Sequence, residues 1–280
     1  MDALQLPLQG EGGAVVLNNL RRRIVQMAYE AGEGHIASAL SILDLVWVLY
    51  DKVLRVDPQK PRWEERDRFV LSKGHGCLAL YAVLAEKGFF PVDELEGFAQ
   101  FDSRLGGHPD RNKVPGVEAS TGSLGHGLPM SVGMALGLKI KEAHAKGQRG
   151  KGDGASRVVV LVGDGECNEG SIWEAALLAA HHELGNLTVI VDYNHSTDRA
   201  LRMGNIAEKF RAFGWFDVSI NGHDHKSIVA AMQWQPEHQP VVIVANTIKG
   251  NGVKEMENNP AWHHRAPNKE ELTAILAELE

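Results

Sequence analysis

Three oxygen donors sit at two turns that could share one cation. Gly163-Asp164-Gly165 follows an apolar, β-branched run, and Asp192, Asn194 and Ser196 follow a second run that ends at Val191. If both runs are strands, a carboxylate (Asp164), an amide oxygen (Asn194) and the main-chain carbonyl of Ser196 lie on neighbouring strand ends. Hard oxygen donors of this kind suit Mg2+, with Ca2+ or Mn2+ as substitutes, and Mg2+ commonly completes its octahedron with phosphate oxygens and water. Such an ion would clamp a diphosphate, and Gly163 and Gly165 would let the phosphates come close to the backbone. A Gly-Asp-Gly turn alone most often does no more than end a strand. The Asn-bearing turn one strand later gives it chemical weight.

Thirteen histidines offer a second kind of chemistry. An imidazole near neutrality can hydrogen-bond a sugar hydroxyl and pass a proton, although a single histidine reads first as a satisfied core or surface residue. The pairs His181-His182, His223 with His225, and His263-His264 have no third ligand at zinc spacing. Cys77 and Cys167 lie near the candidate loops but outside any paired-thiol motif, and they read as small packing residues.

These residues need a scaffold that brings strand ends together. Apolar residues recur at helical spacing over 14–31, a second apolar helix is predicted over 38–54, and 68–71 reads as a short strand feeding Ser72-Lys73-Gly74-His75. The Trp47 and Leu49 stripe in the second helix reads as core. Helix resumes near Gly76. Residues 101–127 are rich in glycine, proline and polar side chains, too long and irregular for a plain connector, and are expected to bind a ligand. A helix over 128–145, a glycine-rich charged loop over 146–156, and strands over 157–162, 187–192, 216–220 and 241–245 follow. Helices are predicted over 169–184, over 225–233, and from Asn268 to the end. Alternating strands and helices predict one α/β domain spanning 1–280, with a doubly wound, mostly parallel sheet and helices on both faces. In that architecture ligands sit at the carboxyl ends of the strands.

Composition removes other classes of function. A net charge of −7, from 29 basic and 36 acidic residues spread along the chain, leaves no basic stripe for a nucleic acid. The first 13 residues lack a charged start followed by an apolar run, and no segment reaches the length of a membrane span. A soluble, non-exported protein of the reducing cytoplasm is expected.

Over nearly its whole length the chain resembles the N-terminal half of transketolase, a thiamine diphosphate enzyme family. The likeness runs in order through Ser72-Lys73-Gly74-His75, Gly107-His108-Pro109, Pro115-Gly116-Val117-Glu118, Thr121-Gly122-Ser123-Leu124-Gly125, Gly163-Asp164-Gly165-Glu166, Asn194 and Thr247-Ile248-Lys249-Gly250. It implies that Asp164, Asn194 and the Ser196 carbonyl hold the metal of a thiamine diphosphate site framed by Gly163 and Gly165. His75 would contact the diphosphate, Gly122, Ser123 and Leu124 would line the aminopyrimidine and thiazolium, and Ile248 would pack on the cofactor ring. Asp192 would lie beneath the thiazolium side. Glu169 takes the place of a carboxylate at a subunit interface, and Glu174 that of a second, buried one. His35, His108 and His263 would face the substrate.

The resemblance further implies a transferase that moves a two-carbon ketol unit from a ketose, or ketose phosphate, to an aldose, with the cofactor supplying the difficult chemistry. Full-length members continue for a comparable distance. The pyrimidine-binding and C-terminal domains are therefore expected on a partner chain, two of each in a heterotetramer, with the sugars left unspecified. Deoxyxylulose phosphate synthesis or acyloin synthesis on the same scaffold is the alternative. A non-catalytic module is opposed by the intact Asp164, Asn194, His35, His75 and His108. Three positions depart from the family: Ile36 where proline is usual, His126 where glutamine is usual, and His195 where glycine is common.

Overall fold

Alternation along the strands sorts the apolar side chains into two layers. Phe69, Leu71, Val159, Leu161, Ile190, Val241 and Ile243 point to one face of a sheet, and Val70, Val158, Val160, Val162, Val189, Val191, Val242 and Val244 point to the other. Successive residues of a strand face opposite sides, so β-branched runs without polar breaks are what a sheet covered on both faces requires. The computed structural model describes residues 11–145, 155–199 and 201–280. Its sheet has five parallel strands, β1 (Arg68–Leu71), β2 (Val158–Gly163), β3 (Leu187–Tyr193), β4 (Phe216–Asn221) and β5 (Val241–Asn246), in the order β1-β2-β3-β5-β4.

Helices α1 (Glu11–Ala31), α2 (Ile36–Val48), α3 (Cys77–Glu86), α7 (His225–Ala231) and α8 (Lys269–Glu278) pack on the first face. The second face carries α4 (Gly127–Ala145), α5 (Gly170–His181) and α6 (Ile206–Ala212). Local signals start several of these helices. Asn205 and Asp224 cap α6 and α7, and Asn268 with Glu271 closes a capping box on α8.

The doubly wound parallel sheet matches the expectation, with differences at element ends. The second helix begins two residues earlier than predicted, at Ile36, and passes into a π-turn over Leu49–Val53. Leu49 is fully buried, as the core reading of that stripe required, while half-buried Trp47 packs at the core's margin with the Lys87 ammonium 4.1 Å from its ring. The helix predicted over 169–184 stops at His181, because the chain turns through Glu183 at φ 51°. Helix α6 was not anticipated: its seven residues bury only Ile206, Ala207 and Phe210, too few for a periodic signal. Most of the predicted glycine-rich loop, residues 146–154, and the first ten residues lie outside the described residues. Among the described residues no helix is long and apolar enough to cross a membrane.

Candidate functional site

Strands β2 and β3 run in register, with Gly163 opposite Asp192, so the two predicted turns leave the sheet side by side. The Asp164 amide donates to the Asp192 carbonyl at 3.1 Å. Asp164 is nearly buried; its Oδ1 accepts the Gly165 amide at 2.7 Å and its Oδ2 the Thr197 amide at 3.3 Å. Asn194 Nδ2 donates to Asp192 Oδ2 at 2.9 Å and to Ser41 Oγ at 3.1 Å. That arrangement turns Asn194 Oδ1 the other way, where it accepts the Ser196 amide at 3.1 Å. Asp164 and Asn194 thus bind consecutive amides of one loop. Burial first, and the charge of Asp192 second, push the Asp164 carboxyl above the usual carboxylate range. A divalent cation would relieve both effects, so this donor set fits the ion expected of it.

Asp192 has no exposed surface, and its two oxygens are taken by Lys73, Ser41, Thr247 and Asn194. It supports the loops from beneath and leaves no face for a direct cofactor contact. Lys73, 2.6 Å from Asp192 and also nearly buried, belongs to a motif quoted from the sequence without being given a role. A buried lysine in one strand-end motif and a buried aspartate in another was the signal. Lys249 was likewise overlooked. Its ammonium donates to Ser196 Oγ at 3.1 Å and to His263 Nδ1 at 2.9 Å, and burial pushes its pKa down. Because Nδ1 accepts, a neutral His263 carries its proton on Nε2.

The predicted imidazoles meet although four separate segments carry them. The His35 ring lies 5.0 Å from that of His75, 5.6 Å from that of His263 and 4.4 Å from that of His264. His108 approaches the same group against Gly122, where a Cβ would stand 2.9 Å from the His108 ring and where φ is +154°. Gly122 therefore has to be glycine. Burial, then the proximity of His264, His263, His108 and Lys249, lowers the His35 pKa to about 4. His75 is pushed down further by burial and by Lys73, and His263 is lowered by burial and Lys249. Burial and the nearby lysines thus hold His35, His75 and His263 neutral at pH 7.

Other candidates fall differently. Leu124 is half-buried, Ser123 is exposed, and Ile248 is 37% exposed on the turn after β5. Glu169 and Glu174 are both exposed on this chain taken alone. The buried acid is Glu166, which binds the Ser72 hydroxyl, the Gly125 amide at 2.8 Å and the Gly163 amide at 3.2 Å. Around Glu174, α4 and α5 leave Met130, Leu177 and Leu178 exposed. Both cysteines are buried free thiols; burial raises Cys77 to about 12 and Cys167 well above its usual value, so neither is a nucleophile. Among the described residues no three His, Cys, Asp or Glu side chains are arranged to hold a metal ion. A cavity of about 430 Å³ opens between residues 60–66 and 111–118, but no candidate site residue lines it.

Comparison with known proteins places these features in a family. The family described as "Transketolase, thiamine diphosphate binding domain" matches residues 14–279. The chain is 40% identical over 267 residues to one of the subunits of the apulose-4-phosphate transketolase of Actinobacillus succinogenes, covering 93% of each chain. It is 36% identical to the 6-deoxy-6-sulfo-D-fructose transketolase subunit SqwG of a Clostridium species, covering all of this chain and 98% of the relative. Among solved structures, a mutant transketolase from Pichia stipitis superposes with a TM-score of 0.89 at 28% identity. That match covers 96% of this chain and 41% of the Pichia chain, so the present chain spans less than half of that enzyme.

Proposed function

The chain belongs to the transketolase family through its thiamine diphosphate-binding domain, as the N-terminal subunit of a split enzyme, and from that premise we propose how its residues work. It acts with a partner chain carrying the pyrimidine-binding domain, two of each chain together, to transfer a two-carbon ketol unit from a ketose or sugar phosphate to an aldose. Its place of action on this reading is the cytoplasm, which suits two buried free thiols.

The observation that carries the reading is the oxygen set on the β2 and β3 ends. Asp164, the Asn194 side-chain oxygen and the Ser196 carbonyl would hold Mg2+, or Ca2+ or Mn2+ in its place, against a diphosphate. Lys249 and His75 face the same anion, and Gly122, Leu124 and Ile248 offer the surfaces against which flat rings pack. Thiamine diphosphate, when bound, supplies the carbon acid and the electron sink that cleavage of a ketose requires. The chain's part is to orient and to move protons. Neutral His35 can donate from one ring nitrogen and accept at the other, and the ring of His108 offers the same two nitrogens, so both would bind sugar hydroxyls and carry a hydroxyl proton away and back. His263 only donates to a hydroxyl, from Nε2–H, since its Nδ1 is engaged by Lys249. The exposed apolar residues of α4 and α5, beside Glu169 and Glu174, are the surface for the partner.

Thermal unfolding with thiamine diphosphate and Mg2+ tests this. Protection should be weak for the chain alone and strong with the partner, because a ligand stabilises the fold in proportion to its affinity. Equal protection in both cases contradicts the divided site. Asp164→Asn should weaken metal-dependent cofactor binding more than His108→Ala, which should mainly lower turnover.

A further inference from the structure

Beside the site, Asp44 of α2 gathers side chains that the mechanism above does not use. The Asp44 carboxylate is 3% exposed. Its Oδ2 lies 2.9 Å from His223 Nδ1, 3.2 Å from Asn251 Nδ2 and 3.4 Å from Arg21 Nη2, and its Oδ1 lies 2.9 Å from His225 Nε2. Burial raises its pKa, but hydrogen bonds from His223 and His225 and the charge of Arg21 outweigh burial and hold the group ionised. An ionised carboxylate only accepts hydrogen bonds, so His223 Nδ1 has to be the donor.

The other ring nitrogen of His223 settles the protonation state. Its Nε2 stands 2.8 Å from the backbone amide of Ile248, which can only donate. A neutral imidazole with its proton on Nδ1 satisfies both neighbours. The imidazolium, or the opposite tautomer, would set an N–H against the Ile248 N–H. Asn251 Nδ2, 3.1 Å from Nδ1, completes the triangle by donating to Asp44.

The peptide held in this way lies between two residues of the site. Thr247 binds Asp192 through its hydroxyl, and Lys249 reaches Ser196 and His263. One residue further, the Gly250 amide donates to the Ala37 carbonyl at 2.9 Å and the turn ends at φ +82°. We propose that His223 is a positioning residue: Asp44 keeps its proton on Nδ1, and Nε2 then holds the Ile248 amide and sets the turn that presents Ile248 and Lys249 to the cofactor site. What the turn presents rests on the thiamine diphosphate reading. The tautomer does not.

The test has two independent parts. In the free chain labelled with ¹⁵N-histidine, NMR should find His223 protonated on Nδ1 and bare on Nε2; a proton on Nε2 at neutral pH overturns the proposal. With the partner present, thiamine diphosphate and Mg2+ are titrated against wild type, His223→Phe and His223→Gln, following tryptophan fluorescence. Phe keeps the ring but has no acceptor and should weaken binding about 5- to 10-fold, the effect of losing one hydrogen bond. Gln offers an amide oxygen and an N–H and should stay within about threefold of wild type. Phe binding like wild type, or Gln failing as badly as Phe while its cofactor-free unfolding midpoint is unchanged, also overturns it. A wild type that binds no thiamine diphosphate would instead sink the cofactor reading and leave the tautomer result standing.

Discussion

His195 departs from the family's usual glycine and sits at φ 62°, a left-handed conformation that costs a side-chain-bearing residue about 1 kcal/mol. The exposed ring is steadied by Tyr193, 4.5 Å away, and by Asp198 Oδ2 at 3.0 Å from Nδ1. Exposed contacts of this kind contribute little. His195→Gly should therefore raise the unfolding free energy by about 0.5–1 kcal/mol in a denaturant titration, and an unchanged or lower midpoint would mean that the ring contacts outweigh the strain. His126 is exposed and its Nδ1 meets the Leu124 carbonyl at 3.0 Å. Ile36 is fully buried at the first position of α2, where no ladder bond requires its amide and proline or isoleucine can both stand.

Between elements, Glu166 is the clasp. From the short turn Gly165–Asn168 it reaches the residue after β1 (Ser72), the loop before α4 (Gly125) and the end of β2 (Gly163). Glu166→Ala strands two backbone amides in the interior and should cost about 2–4 kcal/mol, read as a lower urea midpoint; Glu166→Gln, which keeps one oxygen, should cost about half as much. The sequence places Glu166 in the Gly163-Asp164-Gly165-Glu166 motif without showing this role. Type and spacing locate a carboxylate near a turn but do not say which way a four-residue 3-10 turn aims it. The same limit hid the Lys73–Asp192 pair and the Asp44–His223 contact, whose partners lie far apart in the chain and meet only through the strand order. What was legible had a local cause: the apolar β-branched strands, the Gly-Asp-Gly turn, and the long loop carrying His108 and Gly122.

At the scale of the molecule, one side of the sheet carries the imidazoles and the other carries a bare apolar surface. Leu177 and Leu178 are 58% and 47% exposed on α5, more than an isolated fold gains from leaving such side chains in water. Leu178→Asp should leave the chain's own unfolding midpoint within about 1 °C, because the residue is not packed, while weakening association with the partner at least about tenfold in a sedimentation or calorimetric titration. Normal assembly of this variant would move the contact surface elsewhere. The two apolar clusters share no side chain; only the sheet's backbone lies between them. Substitutions far apart and without common neighbours add independently. The outer faces of α4 and α5, the surface proposed for the partner, can therefore be rewritten without repacking the helices on the opposite face of the sheet.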